Sequence, residues 1–174
     1  MVHSVEMLLD AEADAAVRRI WNDLAGAGIR SLASHRSPTN RPHVTVTVAE
    51  QMDDGVNDAL RPVLDRLPLS CVLGAPMVFG AGRAVTLVRL VVPSADLLAL
   101  HAEVHRVSGP FAVEGTLPHA DPGQWTPHVT LARRVPLDLV STALAVGSVT
   151  RDMPATAVGL RHWDGDLKIA HLIG

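Results

Sequence analysis

Apolar positions along the chain change their period several times, and each change marks an element. His3 to Leu9 reads as a strand, and Asp10 after it is suited to cap a helix. Ala13, Val17, Ile20 and Leu24 then recur at helical spacing, with Gly26 and Gly28 to end the helix. A polar loop from Ser31 to Asn40 leads to Arg41-Pro42-His43. From Val44 the pattern is strict alternation, which predicts a half-buried strand: Val44, Val46 and Val48 on one face, His43, Thr45 and Thr47 on the other. A second helix is predicted over Asn57 to Leu67, with Pro62 near its start.

Cys71 to Phe79 and Ala84 to Val92 read as strands joined by the Gly80-Ala81-Gly82 turn. Ser94 caps a third helix whose Leu97, Leu100, Val104 and Val107 face inward, and Gly109-Pro110 stops it. A loop rich in Gly and Pro then runs to Thr126 and opens into Pro127-His128-Val129-Thr130-Leu131. A short helix is expected from Leu137, and a hairpin turning at Asp164-Gly165 closes the chain. Strands outnumber helices and hairpins recur, which predicts an α+β fold of antiparallel sheets with helices packed outside. No low-complexity linker divides residues 1–174, so one domain is expected.

Composition narrows the function classes. The apolar stretches break within about ten residues, too short to span a bilayer. The first residues, Met1 to Glu6, lack a basic start and a long apolar run, so a soluble, cytoplasmic protein is expected. Cys71 is the only cysteine, which excludes an internal disulfide and a cysteine-based zinc site. Its apolar neighbours mark it as a buried small hydrophobe rather than a nucleophile. A net charge of −3 argues against a protein that coats long nucleic acid, though not against one that grips a single phosphate. Nine histidines invite a search for acid–base chemistry near neutral pH.

One tetrapeptide containing histidine occurs twice. Pro42-His43-Val44-Thr45 and Pro127-His128-Val129-Thr130 lie in matching places of a weak internal repeat, each at the start of a strand. Period-2 geometry puts each His and its Thr on one strand face and the valine between them in the core. Two such strands facing each other would present two imidazoles and two hydroxyls to one small anion. An imidazole pair can supply the base and the acid that hydrolysis of a phosphodiester needs. The hydroxyls can donate to the non-bridging phosphate oxygens.

With these paired His-x-Thr motifs the chain resembles the two-histidine phosphoesterase superfamily. The segment Trp125-Thr126-Pro127-His128-Val129-Thr130-Leu131-Ala132-Arg133 is similar to its bacterial RNA 2′,3′-cyclic phosphodiesterase branch, also called 2′-5′ RNA ligase. The resemblance implies a bilobal fold, two antiparallel β-sheets with outer helices related by pseudo-twofold symmetry, and an active-site groove between the lobes. By the same likeness His43 corresponds to the general acid and His128 to the general base. Thr45 and Thr130 correspond to phosphate-binding hydroxyls, and Arg133 to a phosphate-contacting arginine. Strand alternation instead favours Arg134 for that face, unless a bulge intervenes near Ala132. The branch continues its first motif with an aromatic, a Leu and a Gly, whereas this chain reads Thr47-Val48-Ala49-Glu50.

Other residues carry plainer expectations. His101 and His105 stand four apart on the third helix, a spacing that can bind metal, but a solvated helix face is expected. Trp125 either stacks on a base or packs in its loop. Arg41 and Arg83 are rim cations or merely solvated. His3, His35, His119, His162 and His171 are unassigned, and no cysteine or acidic cluster supplies a metal site.

The expected function is metal-independent hydrolysis of 2′,3′-cyclic phosphates, on RNA ends or nucleotides, to a 2′-phosphate. Cofactors and metals are expected to be absent, with no membrane and no stable protein partner, so a monomer. The alternatives are another cyclic or 2′-5′-linked phosphodiester substrate, or a non-catalytic module that binds nucleotides or RNA ends.

Overall fold

A computed structural model describes residues 2–174. Its strands are β1 (His3–Leu9), β2 (His43–Ala49), β3 (Leu69–Phe79), β4 (Ala84–Val91), β5 (His128–Pro136), β6 (Met153–Asp164) and β7 (Ile169–Ile173). The helices are α1 (Ala11–Gly26), α2 (Val56–Ala59), α3 (Ala95–Ser108), α4 (Val140–Ala145) and α5 (Gly147–Thr150). The fold is α+β with antiparallel pairing throughout, as expected.

Hydrogen bonding joins into one sheet what the sequence reading separates as two. The order is β1-β2-β5-β4-β3-β6-β7, and an additional β1–β6 pairing closes the ring. The two junctions differ greatly. The β3–β6 junction runs from Leu69↔Ala157 to Leu73↔Met153, whereas β2 and β5 meet only at Val44↔Val129. The short junction is where the strands diverge, and it holds both Pro-His-Val-Thr segments. β1 is buried along its whole length because β2 and β6 flank it.

The helices that position this junction are the amphipathic ones. Ala13, Val17, Ile20 and Leu24 of α1 are buried, joined by Trp21, and so are Leu97, Leu100 and Val104 of α3. They share one core with Val44, Val46, Val129 and Leu131. Burying a Val or Leu side chain completely stabilises the fold by about 1.5–3 kcal/mol, so the valine between each His and Thr is an anchor for its strand. Asp10 caps α1, its Oδ1 accepting from the backbone N–H groups of Glu12 and Ala13 at 3.0 and 2.9 Å. Its Oδ2 accepts from the Thr156 N–H at 2.6 Å, tying the start of α1 to β6. Ser94 caps α3 through the N–H of Leu97 at 3.2 Å.

Two predicted elements are corrected. The helix expected over Asn57 to Leu67 is only α2, followed by a 3₁₀ turn over Arg61–Arg66. Pro62 has no N–H to continue an α-helix and sits comfortably in the first turn of a new one. Strict alternation in β2 also fails after Thr45. Val5 pairs with Thr47 and Glu6 with Thr45, so Val46 is an extra residue, a β-bulge. Thr47 is therefore fully buried, and Val48, expected in the core, lines the groove instead.

The closing hairpin turns where expected, with Asp164 Oδ1 accepting from the N–H groups of Asp166 and Leu167 at 2.8 Å each. Cys71 is buried, and burial pushes its thiol up to about 11, which keeps it protonated and inert. Arg89 is fully buried and donates to the carbonyls of Gly74, Leu73 and Arg151 at 2.5, 2.9 and 2.7 Å. Those bonds satisfy a buried cation and fasten β4 to β3 and to the segment that enters β6. Among the described residues no helix is long and apolar enough to cross a membrane.

Candidate active site

The Val44↔Val129 pairing fixes the geometry of the site. In an antiparallel pair with that register, His43 stands opposite Thr130 and Thr45 opposite His128. Both valines are fully buried, and all four flanking residues are half-buried on the other face. The two histidines are thus diagonal neighbours, a relationship that separates side chains by about 7–8 Å in a regular ladder.

Each imidazole is oriented the same way. Nδ1 of His43 hydrogen-bonds the Arg41 carbonyl at 2.6 Å, and Nδ1 of His128 the Thr126 carbonyl at 2.7 Å. A carbonyl only accepts, so each ring donates from Nδ1. Nε2 is left in both rings for other partners. The proline between acceptor and histidine in each motif holds the preceding backbone extended, which keeps that carbonyl within reach.

Beyond that shared contact the two environments diverge. His43 Nε2 lies 3.5 Å from Glu6 Oε1, and Arg161 NH2 lies 3.4 Å from His43 Nδ1. Glu6 and Arg161 are themselves a buried pair, with Glu6 Oε2 at 2.7 Å from Nε and 2.6 Å from NH2. Ser4 Oγ donates to the other Glu6 oxygen at 2.9 Å. Among the described residues no carboxylate pairs with His128; the Phe79 ring meets it edge-on with centroids 4.8 Å apart. Burial pushes His128 below its ordinary value, and the nearby His43, His119 and Arg133 push it the same way, against the Thr126 hydrogen bond. Burial thus disfavours the charged form of His128, whereas Glu6 lies beside His43.

Two cavities meet at Thr45 and Val48. One, of about 380 Å³, is lined by His128, Phe79, Trp125 and His119. The other, of about 560 Å³, is lined by His43, Glu6, Arg161, Arg30, Arg133 and Arg134. One side of the groove is therefore largely apolar and aromatic, and the other is rich in guanidinium groups. Thr130 lies on the groove face of β5 but lines neither cavity.

Another bulge bears on Arg133 and Arg134. Leu87 pairs with Ala132 and Val88 with Thr130, so Leu131 is the extra residue and the alternation flips there. Arg133 then falls on the groove face, while Arg134 has a left-handed backbone, φ 55°, and reaches the same cavity from the strand's next irregularity. Each bulge comes three residues after its histidine, at Val46 and at Leu131. Val48 consequently occupies in the first motif the place Arg133 holds in the second.

His101 departs from expectation. It is buried, its Nε2 donates to the Ala120 carbonyl at 2.8 Å, and its ring stacks on Trp125 with centroids 4.0 Å apart and planes 4° apart. The 3₁₀ turn Pro118–Ala120 covers that side of α3, which the helix spacing by itself does not reveal. Trp125 spends one face on His101 and donates from Nε1 to the Thr45 carbonyl at 2.9 Å. Its role is to brace the motif strand and wall the cavity. His105 Nε2 lies 3.1 Å from both Thr116 Oγ1 and Asp121 Oδ1. Arg41 is held by Asp14 at 2.9 Å, and Arg83 lines neither cavity.

Sequence reasoning missed Glu6, Arg161 and Phe79. A glutamate inside the apolar strand His3–Leu9 was a signal for the first, since a buried acid needs a buried partner.

The profile of the 2′-5′ RNA ligase superfamily matches residues 10–166. The chain belongs to that superfamily, whose members are two-histidine phosphoesterases and ligases. No protein with a curated description matches it by sequence. Among solved structures it is similar to TT0787 of Thermus thermophilus, with 17% identity, a TM-score of 0.60, and coverage of 100% of this chain and 96% of that one. Kluyveromyces marxianus Usb1 aligns at 9% identity and a TM-score of 0.55, covering 99% and 97%. Escherichia coli LigT complexed with 3′-AMP aligns at 14% identity and 0.54, covering 98% and 91%. At such identities the likeness is one of fold, and it spans essentially the whole chain.

Proposed function

We propose that the protein hydrolyses 2′,3′-cyclic phosphates, at RNA ends or on nucleotides, to a 2′-phosphate. The observation that carries this reading is the Val44↔Val129 register, which sets two Nδ1-anchored imidazoles and two threonine hydroxyls on one face.

The reaction divides between the two rings. Neutral His128 takes a proton from water at Nε2 as the water oxygen bonds to phosphorus. The bond from phosphorus to O3′ breaks, and His43 Nε2 gives its proton to that oxygen. The phosphate stays on O2′. Thr45 and Thr130 donate to the non-bridging oxygens, and Arg133 adds a positive charge where negative charge develops. These donors suffice for the charge, so no metal is required. The apolar cavity against Phe79 and Trp125 suits a base, and LigT, a fold neighbour, has been solved with the nucleotide 3′-AMP.

The second cavity favours one further reading, an RNA end over a free nucleotide. Arg30, Arg133 and Arg134 line a path beyond the proposed phosphate position, which suits the backbone of a longer strand. The test is turnover of a mononucleoside 2′,3′-cyclic phosphate and of an oligonucleotide ending in one, both in excess EDTA, with products followed by ³¹P NMR. A 2′-phosphate product from either substrate is expected. A 3′-phosphate product, or a chain that circular dichroism shows folded in EDTA but that turns over only with an added divalent ion, contradicts the mechanism. Saturable binding without turnover makes the chain a binding module.

A further inference from the structure

The fold gathers histidines and carboxylates at a second place, which the sequence reading did not anticipate. His162 on β6 stands opposite His171 on β7 in the ladder, their ring centroids 5.8 Å apart. Strand alternation places His162 on the sheet face opposite Arg161, away from the groove. The loop before α2 brings Asp54 over this face, with Asp54 Oδ1 at 3.9 Å from His162 Nδ1. Asp54, Asp164 and His171 each offer a ligand atom, all within 4.8 Å of one another.

Two buried nitrogens here have no hydrogen-bond partner among the described residues, His162 Nδ1 and His171 Nε2. The protons of the neighbouring rings say what His162 Nδ1 is. His3 Nε2 lies 3.3 Å from Asp166 Oδ2 and 3.6 Å from Asp164 Oδ1, and carboxylates only accept, which favours the neutral His3 tautomer with its proton on Nε2. His3 Nδ1 then accepts from His162 Nε2–H at 3.3 Å. With that proton arrangement His162 Nδ1 is a bare lone pair, fully buried and 3.9 Å from the Asp54 carboxylate. A lone pair facing an anion is unfavourable unless a cation lies between them.

We propose that His162, His171, Asp54 and Asp164 bind one divalent transition-metal ion of the zinc class, as a structural site separate from the two-histidine groove. Two imidazole nitrogens and two carboxylate oxygens suit tetrahedral Zn²⁺ better than Ca²⁺ or Mg²⁺, which take oxygen ligands. Ligand atoms around tetrahedral zinc stand about 3.3 Å apart, so Asp54, Asp164 and His171 need to close by up to about 1.5 Å, and His162 joins them from the Asp54 side. Asp54 is largely exposed and free to move in. His3, itself beside Asp166, acts as the outer acceptor that sets the tautomer of His162, the part that a carboxylate or carbonyl plays behind many zinc-bound imidazoles. The ion ties the loop before α2 to the closing hairpin, and thus stabilises the fold without entering the reaction.

The experiment uses the full chain, stripped with chelator, carrying His43→Ala and His128→Ala so that the groove cannot ligate zinc. Zn²⁺ alone is titrated by calorimetry, and melting is followed with and without it. One equivalent should bind and raise Tm by about 5 °C or more, while Mg²⁺ does neither. Asp54→Asn, a change at an exposed position, should weaken binding at least about tenfold, and His171→Ala added to it should abolish the Tm shift. No saturable Zn²⁺ binding, or equal binding after both changes, overturns the proposal.

Discussion

Among the described residues, Val44 and Val129 form the one paired position in the ladder between β2 and β5. The two Pro-His-Val-Thr segments therefore cross antiparallel at their buried valines, and each histidine faces the other segment's threonine. The proposed chemistry depends on that crossing, because the same four side chains on strands one residue out of register would point into the core.

The threonines are the simplest test of the groove face. Thr45→Val and Thr130→Val keep the β-branched shape and the strand, and delete only a hydroxyl. Each should lower kcat by roughly 10²-fold if the hydroxyl stabilises charge in the transition state. Steady-state kinetics on a 2′,3′-cyclic nucleotide decide it, and unchanged kcat in both variants would reduce the threonines to strand formers.

The pH profile should be bell-shaped, since one ring must be neutral while the other is protonated. Burial lowers the His128 value, so the basic form persists at more acid pH than an exposed histidine would allow. The acid limb of kcat/KM should accordingly lie below about 6.5, the ordinary histidine value. Phe79→Ala exposes the ring to water and should move that limb toward 6.5. The limbs belong to the coupled pair, so the shift between variants is the quantity to read. An acid limb that stays fixed in Phe79→Ala would remove desolvation as its cause.

Stability should fall in acid for the same reason. His128 and His101 are both lowered, chiefly by burial, so below the ordinary value the unfolded chain binds protons that the folded one does not. Their contribution is complete above about 6.5 and is lost as pH falls through the folded values. Tm measured from pH 8 to pH 5 should drop over that window. His101→Phe retains a ring against Trp125 but no titrating group, so its Tm should be lower overall, with a shallower slope. A slope as steep as the parent's would acquit His101.

How much of this was legible in the sequence depended on the range of the determinant. The histidines and threonines were readable because a strand's period is local, and Asp10 and Ser94 because a cap bonds within three residues. The bulges at Val46 and Leu131 were not, since a bulge is set by how many residues the partner strand supplies. They sent Thr47 inward and turned Val48 and Arg133 to the groove. Glu6 and Arg161 lie on strands far apart in the chain, and only the β1–β6 pairing makes them neighbours. His101 looked like a surface residue until the turn at Pro118–Ala120 folded over it.

The most direct test of the account is turnover of a 2′,3′-cyclic nucleotide by His43→Ala, His128→Ala and the double variant, each checked for native circular dichroism. Both side chains are only half-buried on a groove face, so the variants should fold. Each single change should cost roughly 10²–10⁴-fold in kcat. Because the rings act as one unit, the double variant should be little worse than either single one. A folded variant of either histidine that turns over at near the parent rate would contradict the two-histidine mechanism.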